Sequence, residues 1–415
     1  MISRHNYAVA IVRTAILGPL FLLGCAAIVF TQEVSALLLV NSPKSLQAAV
    51  NLSKTHFISL LTFIAHIICP SDVSITYDES TKDMAFSSTN GHLSGYLMPN
   101  SVLISNHQIY TDWLSLWHIL ASTHLGNSVF IFLKDLSWIP VLGRGMKNYN
   151  FLFLSRKWEK DKIVLTNQLL EIDANARGYG PANGVKHVFS TSLNQQDSTT
   201  LQPPIQHWPS GKNSKQIWPY EILLYPEGTV TSPHTRIRSD KFCDRKGLPH
   251  LKHVLLPRVR GLFITLRKLR NTVEVVYDIT TGYSGLKPGD NGEDIFTLKQ
   301  FFLLGYGPKR VNHYIQTWKI ADIPLGDDDC EDIDAVKEED VAKFEQWLFK
   351  IWYEKDERMD LFYKSGSFET IPNTKTVIAE IKNKSILDLL SVFTPVIIGI
   401  LILRLIWLGI SRLIF

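Results

Sequence analysis

Cysteine is scarce and its spacing is unpaired. The four cysteines, Cys25, Cys69, Cys243 and Cys330, are scattered along the chain. That scatter offers neither a zinc site nor a disulfide framework, and it suits reducing, cytosol-facing surroundings. A strong charge of one sign is also missing. A net charge of +4 over 415 residues gives no reason to expect nucleic acid as a partner. The length exceeds an average domain but fits one large one. Long apolar runs are not missing; they lie at the two ends.

From Thr14 to Thr31 eighteen residues carry no charge, between Arg13 and Glu33. That length just crosses a bilayer. A cleaved signal peptide is the alternative, but the run is long for a signal core and more apolar sequence follows. At the other end, Leu389 to Ile410 holds twenty-two residues with one charge, Arg404, whose side chain can snorkel to the interface. Phe57 to Cys69 is apolar but thirteen residues long. It reads as too short to span, lying in the interface or buried against the rest of the chain.

Between the ends, apolar runs terminate in polar turns. Val102-Leu103-Ile104-Ser105 leads into Asn106-His107-Gln108-Ile109-Tyr110-Thr111-Asp112, followed by a helical pattern from Trp113 to Thr123. This reads as strand, loop, helix, and open α/β sheets place their chemistry at such strand exits. A histidine takes a proton from a hydroxyl, and a nearby carboxylate fixes its tautomer and stabilises the imidazolium. The pair has no serine or cysteine partner at a known spacing, so the hydroxyl to be activated belongs to the substrate. His-x4-Asp alone also fits a loop histidine beside a helix-capping Asp112.

The same plan recurs. Ser128–Leu133 and Asn150–Arg156 read as strands, with Arg156 at the exit of the second; Lys162–Asn175 has helical spacing. Glu221-Ile222-Leu223-Leu224 runs into Pro226-Glu227-Gly228-Thr229, and His253-Val254-Leu255-Leu256 into Pro257-Arg258. Thr272–Ile279 adds a β-branched strand. Polar residues gathered at one end of several strands imply a single sheet with one working edge. Arg156 suits bidentate phosphate binding, though a surface salt bridge fits it equally. Glu-Gly-Thr is also a common strand-ending turn. From Arg236 to Arg270 there are eleven Lys/Arg and two Asp. This tract attracts phosphate, coenzyme A or anionic headgroups, or is a solvated basic face. Residues 182–218 are rich in Asn, Gln, Ser, Thr and Pro and read as an insertion. Gly326–Asp340 is an acidic linker. Phe344, Trp347, Leu348, Ile351 and Trp352 form one helical stripe, read as core or as a face against the membrane domain.

In this order, and between apolar ends, these pieces resemble the glycerolipid acyltransferases, the acylglycerol-phosphate and lysophospholipid acyltransferase group. The family's blocks correspond to Asn106-His107…Asp112, to the apolar run ending in Arg156, to Pro226–Thr229, and to the run ending in Pro257. The likeness covers Ser101 to Gly261 by motif and extends through Trp347-Leu348, Tyr353–Asp356 and Gly366–Phe368. The Asn-His-Gln-x-Tyr-x-Asp-Trp and Leu-Leu-Pro-Arg forms look most like the eukaryotic branch acting on lysophosphatidylinositol and lysocardiolipin, with the fungal phosphatidylinositol-remodelling members as the nearest likeness. Val230 departs from the pattern, since many members carry Arg or Asn there; Thr235-Arg236 is the expected substitute for that charge.

The resemblance implies an α/β fold: a mixed sheet flanked by helices, with N- and C-terminal transmembrane helices. The expected divisions are a membrane-anchoring region at 1–70, a catalytic domain at 71–325, an acidic linker and helical subdomain at 326–385, and a transmembrane tail at 386–415. The implied reaction moves an acyl group from acyl-CoA to a lysophospholipid, most simply lysophosphatidylinositol, without a metal, a bound cofactor or an acyl-enzyme. His107 and Asp112 are the implied catalytic pair. Asn106, Arg156, Glu227, Gly228, Thr229, Pro257 and Arg258 are the implied substrate-binding residues. The expected surroundings are membrane lipids, at the endoplasmic reticulum with the site facing the cytosol, and lipid droplets as a second location. The rival readings are synthesis of phosphatidic acid from lysophosphatidic acid, and a catalytically silent lipid-binding protein. The intact His107/Asp112 and Glu227–Thr229 motifs oppose the latter.

Overall fold

The computed structural model describes residues 6–134, 136–155, 157–178, 218–327 and 335–414. Two long helices come first, α1 (Tyr7–Leu38) and α2 (Pro43–Ile68). Strand β1 (Asp72–Asp78) and the hairpin β2 (Met84–Thr89) and β3 (His92–Leu97) follow. The hairpin turns at Asn90-Gly91, both at positive φ, the pairing that a tight two-residue turn requires. Next come β4 (Ser101–Ser105), α3 (Asp112–Ser122), β5 (Val129–Lys134), α4 (Leu142–Asn148), β6 (Leu152–Leu154) and α5 (Trp158–Ala176). The second half holds β7 (Glu221–Leu224), α6 (Pro233–Lys246), α7 (Val259–Leu269), β8 (Val275–Tyr283), the short α8 (Gly292–Ile295) and a π-helical turn at Gln300–Leu304. It closes with β9 (Arg310–Lys319), α9 (Glu338–Ser365), β10 (Thr374–Glu380), α10 (Ile386–Ser391) and α11 (Thr394–Ile414).

Eight strands form one sheet in the order β10-β1-β9-β8-β4-β7-β5-β6, and β2-β3 stand apart. The strands β8, β4, β7, β5 and β6 run parallel, so all five end at the same edge. On the far side β9 is antiparallel to β8, β1 is parallel to β9, and β10 is antiparallel to β1. The sheet is therefore mixed, as expected.

Both faces of the sheet are covered, which is why β4 and β8 are buried at every position. Leu103, Ile131, Leu223 and Tyr277 pack with α2 and α3 in one core. Their strand neighbours Val102, Ile104, Ile222, Leu224 and Val276 pack with α5, α7 and α9 in the other. The stripe expected on α9 is core: Phe344, Leu348, Ile351 and Trp352 are wholly buried.

Four sequence readings change. His253–Arg258 is no strand. Its N–H groups are diverted from any ladder: those of Lys252, His253 and Val254 donate to the Asp356 carboxylate, that of Leu256 to the Ser239 hydroxyl, and that of Arg258 to the Pro226 carbonyl. Phe57–Cys69 is the end of the 26-residue α2, which is long and apolar enough to cross a membrane, as are α1 and the Thr394–Ser411 part of α11. Most of its apolar stretch is nevertheless buried in the protein. Polar residues such as Lys54 and His56 break the apolar run in sequence but are themselves buried. The third apolar strand is only Leu152–Leu154, at the sheet edge. Finally, β9 and β10 are additional strands, and β10 places part of the 326–385 region in the same sheet. Of the expected insertion at 182–218, all but Trp218 lies outside the described residues.

Candidate active site

The loops at the parallel edge of the sheet converge on His107. It follows β4, an interior strand of the parallel set, and β8 and β7 flank it. The imidazole Nδ1 lies 2.7 Å from Asp112 Oδ2. Side-chain exposure is 18% for His107 and 2% for Asp112. The carboxylate holds the ring proton on Nδ1, leaving Nε2 as the basic nitrogen.

Asp112 opens α3 and receives more than the histidine. The N–H groups of Gln108 and Ile109 donate to it at 2.7 and 3.2 Å, and the buried Tyr283 hydroxyl donates to Oδ1. Burying a charge is costly unless donors surround it, and here backbone, imidazole and phenol share the task. Burial, with Asp112 beside it, pushes the Tyr283 phenol well above its usual range, so it remains a donor. The imidazole also stacks on Tyr225, with centroids 4.3 Å apart.

The loop is braced from the β7 side. Thr231 N–H donates to the His107 carbonyl at 3.0 Å. His107 N–H donates to Glu227 Oε2 at 3.3 Å, and Trp352 Nε1–H of α9 donates to Glu227 Oε1 at 3.4 Å. Lys355, one turn further along α9, is fully buried; its Nζ reaches Asp278 Oδ1 and the Ile279 carbonyl, each at 2.6 Å.

Each sequence candidate now has a position. Asn106 is 1% exposed, and its amide is used by the Thr281 backbone in both directions, at 3.0 and 2.8 Å. It fixes the β4 exit against β8; it does not reach toward a ligand. Glu227 is likewise buried, and its oxygens accept from the His107 N–H and the α9 indole. Gly228 sits at φ +72°, and a Cβ there would come within 3.1 Å of Arg258 Nε. Only glycine suits both demands. Arg258 N–H donates to the Pro226 carbonyl at 2.7 Å, which fastens Pro257-Arg258 beside Gly228-Thr229. Arg258 is exposed, and Gly228 and Thr229 are half-buried. Arg156 lies outside the described residues. The expected charge from Thr235-Arg236 does not reach the turn: Thr235 caps α6 with Ser232, and Arg236 donates to the carbonyls of Leu251 and Val254.

Sequence reading missed Tyr283, Trp352 and Lys355. Tyr283 ends the β8 run, where a strand-exit rule would have flagged it. The other two were absorbed into a helix whose stripe is mostly core.

Burial pushes the Glu227 carboxyl up to about 8, against the His107 and Leu255 N–H groups, the Trp352 indole and the Lys355 ammonium, which all favour the charged form. The native protein thus holds a proton there that the unfolded chain releases above the ordinary carboxylate range. Stability from this group is full below about 4.5 and is lost as pH rises to about 8, by an amount on the order of a few kcal/mol. Glu227→Gln should therefore lose less stability than the unsubstituted protein between pH 5 and 8.5. Parallel unfolding midpoints for the two across that range would refute the assignment.

Residues 92–283 match the family model described as Acyltransferase, and residues 302–393 the one described as Acyltransferase C-terminus. The 2-acyl-1-lysophosphatidylinositol acyltransferase of Saccharomyces cerevisiae is 40% identical over 86% of this chain and 85% of its own. The chain belongs to the acyltransferase family. More distant relatives of this acyltransferase include lysocardiolipin acyltransferase 1 of Danio rerio, 26% identical over 66% of the chain and 53% of its own. The human 1-acyl-sn-glycerol-3-phosphate acyltransferase delta is 27% identical over 67% and 57%. No solved structure matches. Trp352 and Lys355 fall in the segment matching the C-terminal model, so both matched segments meet at Glu227.

Proposed function

We propose that this acyltransferase moves a fatty acyl group from acyl-CoA to the free glycerol hydroxyl of lysophosphatidylinositol, remodelling the acyl chains of phosphatidylinositol. The observation that carries the chemistry is the His107–Asp112 pair, with Nδ1 tied down and Nε2 left as the base, at the edge where five strands end. The acceptor is supported by the 40% identity to the yeast enzyme of that name.

His107 Nε2 removes the hydroxyl proton as the oxygen attacks the thioester carbonyl. Asp112 stabilises the imidazolium. The tetrahedral intermediate collapses, the C–S bond breaks, and the imidazolium returns the proton to the departing coenzyme A thiolate. No acyl-enzyme, metal or bound cofactor enters. Gly228 N–H is held by the Tyr225 carbonyl, which leaves the N–H groups of Thr229 and Val230 suited to the oxyanion, and Arg258 and Arg156 to the acceptor phosphate. The home of the enzyme is the endoplasmic reticulum membrane, with the site facing the cytosol that supplies acyl-CoA. Two long-chain substrates favour a site at the bilayer, where neither is extracted into water.

The test is transfer from labelled oleoyl- and stearoyl-CoA to a lysolipid panel by reconstituted protein. Lysophosphatidylinositol should be preferred roughly tenfold, a discrimination of about 1.4 kcal/mol. Preference for lysophosphatidic acid would move the enzyme to phosphatidic acid synthesis and reject the acceptor named here.

A further inference from the structure

The turn between β5 and α4, residues 136–141, leaves the sheet at the same edge as His107. Its residues are Leu-Ser-Trp-Ile-Pro-Val. Trp138 is 76% exposed and Val141 44%. The segment is nonetheless tightly built. Ile139 N–H donates to the Leu136 carbonyl at 3.1 Å and Gly143 N–H to the Ile139 carbonyl at 2.8 Å. A Cβ on Gly143 would fall 2.3 Å from the Ser137 carbonyl oxygen, so the chain folds closely onto the start of α4. Val141 is held at φ +63°, a conformation that a β-branched residue adopts only when its surroundings enforce it. The fold spends strain to hold an indole outward on a constrained turn, where water is a poor solvent for it.

The neighbouring elements indicate which phase receives it. Arg144 of α4 pairs with Glu33 of α1 at 2.6 and 3.0 Å, and Asn148 donates to Gln32 and Glu33 at 3.0 and 2.9 Å. The turn is thus fastened to the end of α1, a candidate membrane span whose outward side chains Ile16, Leu22, Leu23 and Phe30 are exposed. Further back along α1, Arg13 donates to the Leu303 carbonyl at 2.8 Å. There Leu303 and Tyr306 are exposed in turn. Tyr110, three residues after His107, is also exposed. An apolar helix face is therefore continued at both ends by exposed apolar and aromatic residues, with tryptophan and tyrosine of the kind that settle at headgroup depth.

We propose that the 136–141 turn dips into the headgroup layer of the bilayer, with Trp138 as its anchor, and holds the catalytic edge against the membrane so that the acceptor reaches His107 laterally. This rests on the reading of the acceptor as a lysophospholipid. The full chain is reconstituted in phosphatidylcholine vesicles and given either long-chain lysophosphatidylinositol in the bilayer or a short-chain, monomeric lysolipid from water. Trp138→Glu should raise the apparent KM for the bilayer acceptor roughly tenfold, the scale of one lost interfacial anchor. It should leave kcat and the short-chain acceptor unchanged, and Trp138→Phe should restore most of the loss. Equal losses on both acceptors would make Trp138 a substrate contact, and no loss on either would leave it an ordinary exposed side chain; both overturn the proposal. A second readout needs no turnover. Trp138→Cys, made with Cys330→Ser and carrying a bimane probe, should be quenched by shallow doxyl lipids and not by aqueous iodide, with the Cys330→Ser protein, whose Cys25, Cys69 and Cys243 are buried, as background. Quenching by iodide alone rejects the membrane contact whichever acceptor the enzyme uses.

Discussion

His107→Ala should lower kcat roughly 10³-fold while the protein stays folded in the membrane, because a positioned general base contributes about 10²–10⁴ in rate. The contacts that hold the loop are mainly backbone and survive the change. His107 N–H still meets Glu227, and the His107 carbonyl still accepts from Thr231. What the alanine removes is the ring: its stack on Tyr225, of the order of 1 kcal/mol, and one of the donors to Asp112. That leaves a chemical defect far larger than the structural one. Transfer of labelled acyl groups per folded molecule, with KM for both substrates followed separately, is the measurement. A variant turning over at a tenth of the normal rate would show that another group deprotonates the hydroxyl.

Asp112→Asn should be nearly as damaging, roughly 10²–10⁴ in kcat, through a different route. Every neighbour of this carboxylate is a donor: the N–H groups of Gln108 and Ile109, the Tyr283 hydroxyl and the imidazole Nδ1. A carboxamide turns an NH2 toward one side of that ring of donors. If the NH2 faces His107, the imidazole must accept at Nδ1 and carry its proton on Nε2, where a base is needed. If it faces Tyr283, a buried hydroxyl loses its acceptor, at about 1–3 kcal/mol. The unfolding midpoint and kcat should therefore both fall, with kcat falling far more than the loss of folded protein explains. Normal turnover in a folded Asp112→Asn protein would mean that the tautomer of His107 does not matter to the reaction.

The contact between His107 and Asp112 was legible because everything it needs is local. An apolar run marks β4, and the histidine and aspartate lie within one loop at its exit. The support for that pair was not legible, because it comes from far along the chain. Trp352 meets Glu227 across 125 residues, and Tyr283 meets Asp112 across 171. The sequence around Glu227 shows a turn carboxylate and gives no sign of the His107 N–H and Trp352 indole that its oxygens accept. The run ending in Pro257-Arg258 has the composition of a strand, but Asp356, on a helix a hundred residues later, takes the N–H groups that a ladder would use. β9 escaped notice for a related reason. Its buried Asn312 and His313 interrupt the apolar alternation, and His313 is satisfied by Thr281 on β8 and Ser115 on α3. Polar residues that look exposed in sequence are interior when distant strands supply their partners.

The position of β1 sets the order in which a ribosome can complete this enzyme. β1 is made early, yet its two neighbours are β9 and β10, encoded from Arg310 and Thr374 onward. While those residues are still inside the ribosome, β1 has two open edges, and α2 lacks much of the sheet that will cover it. α1 and α2 are already synthesised by then. The nascent chain thus meets the membrane before it has a finished interior, with strand edges that other chains can pair. A chain stopped before Thr374 lacks β10 and leaves one edge of β1 unpaired. One ending before Trp352 also lacks the indole that donates to Glu227 beneath the His107 loop. Such a product is a client for quality control.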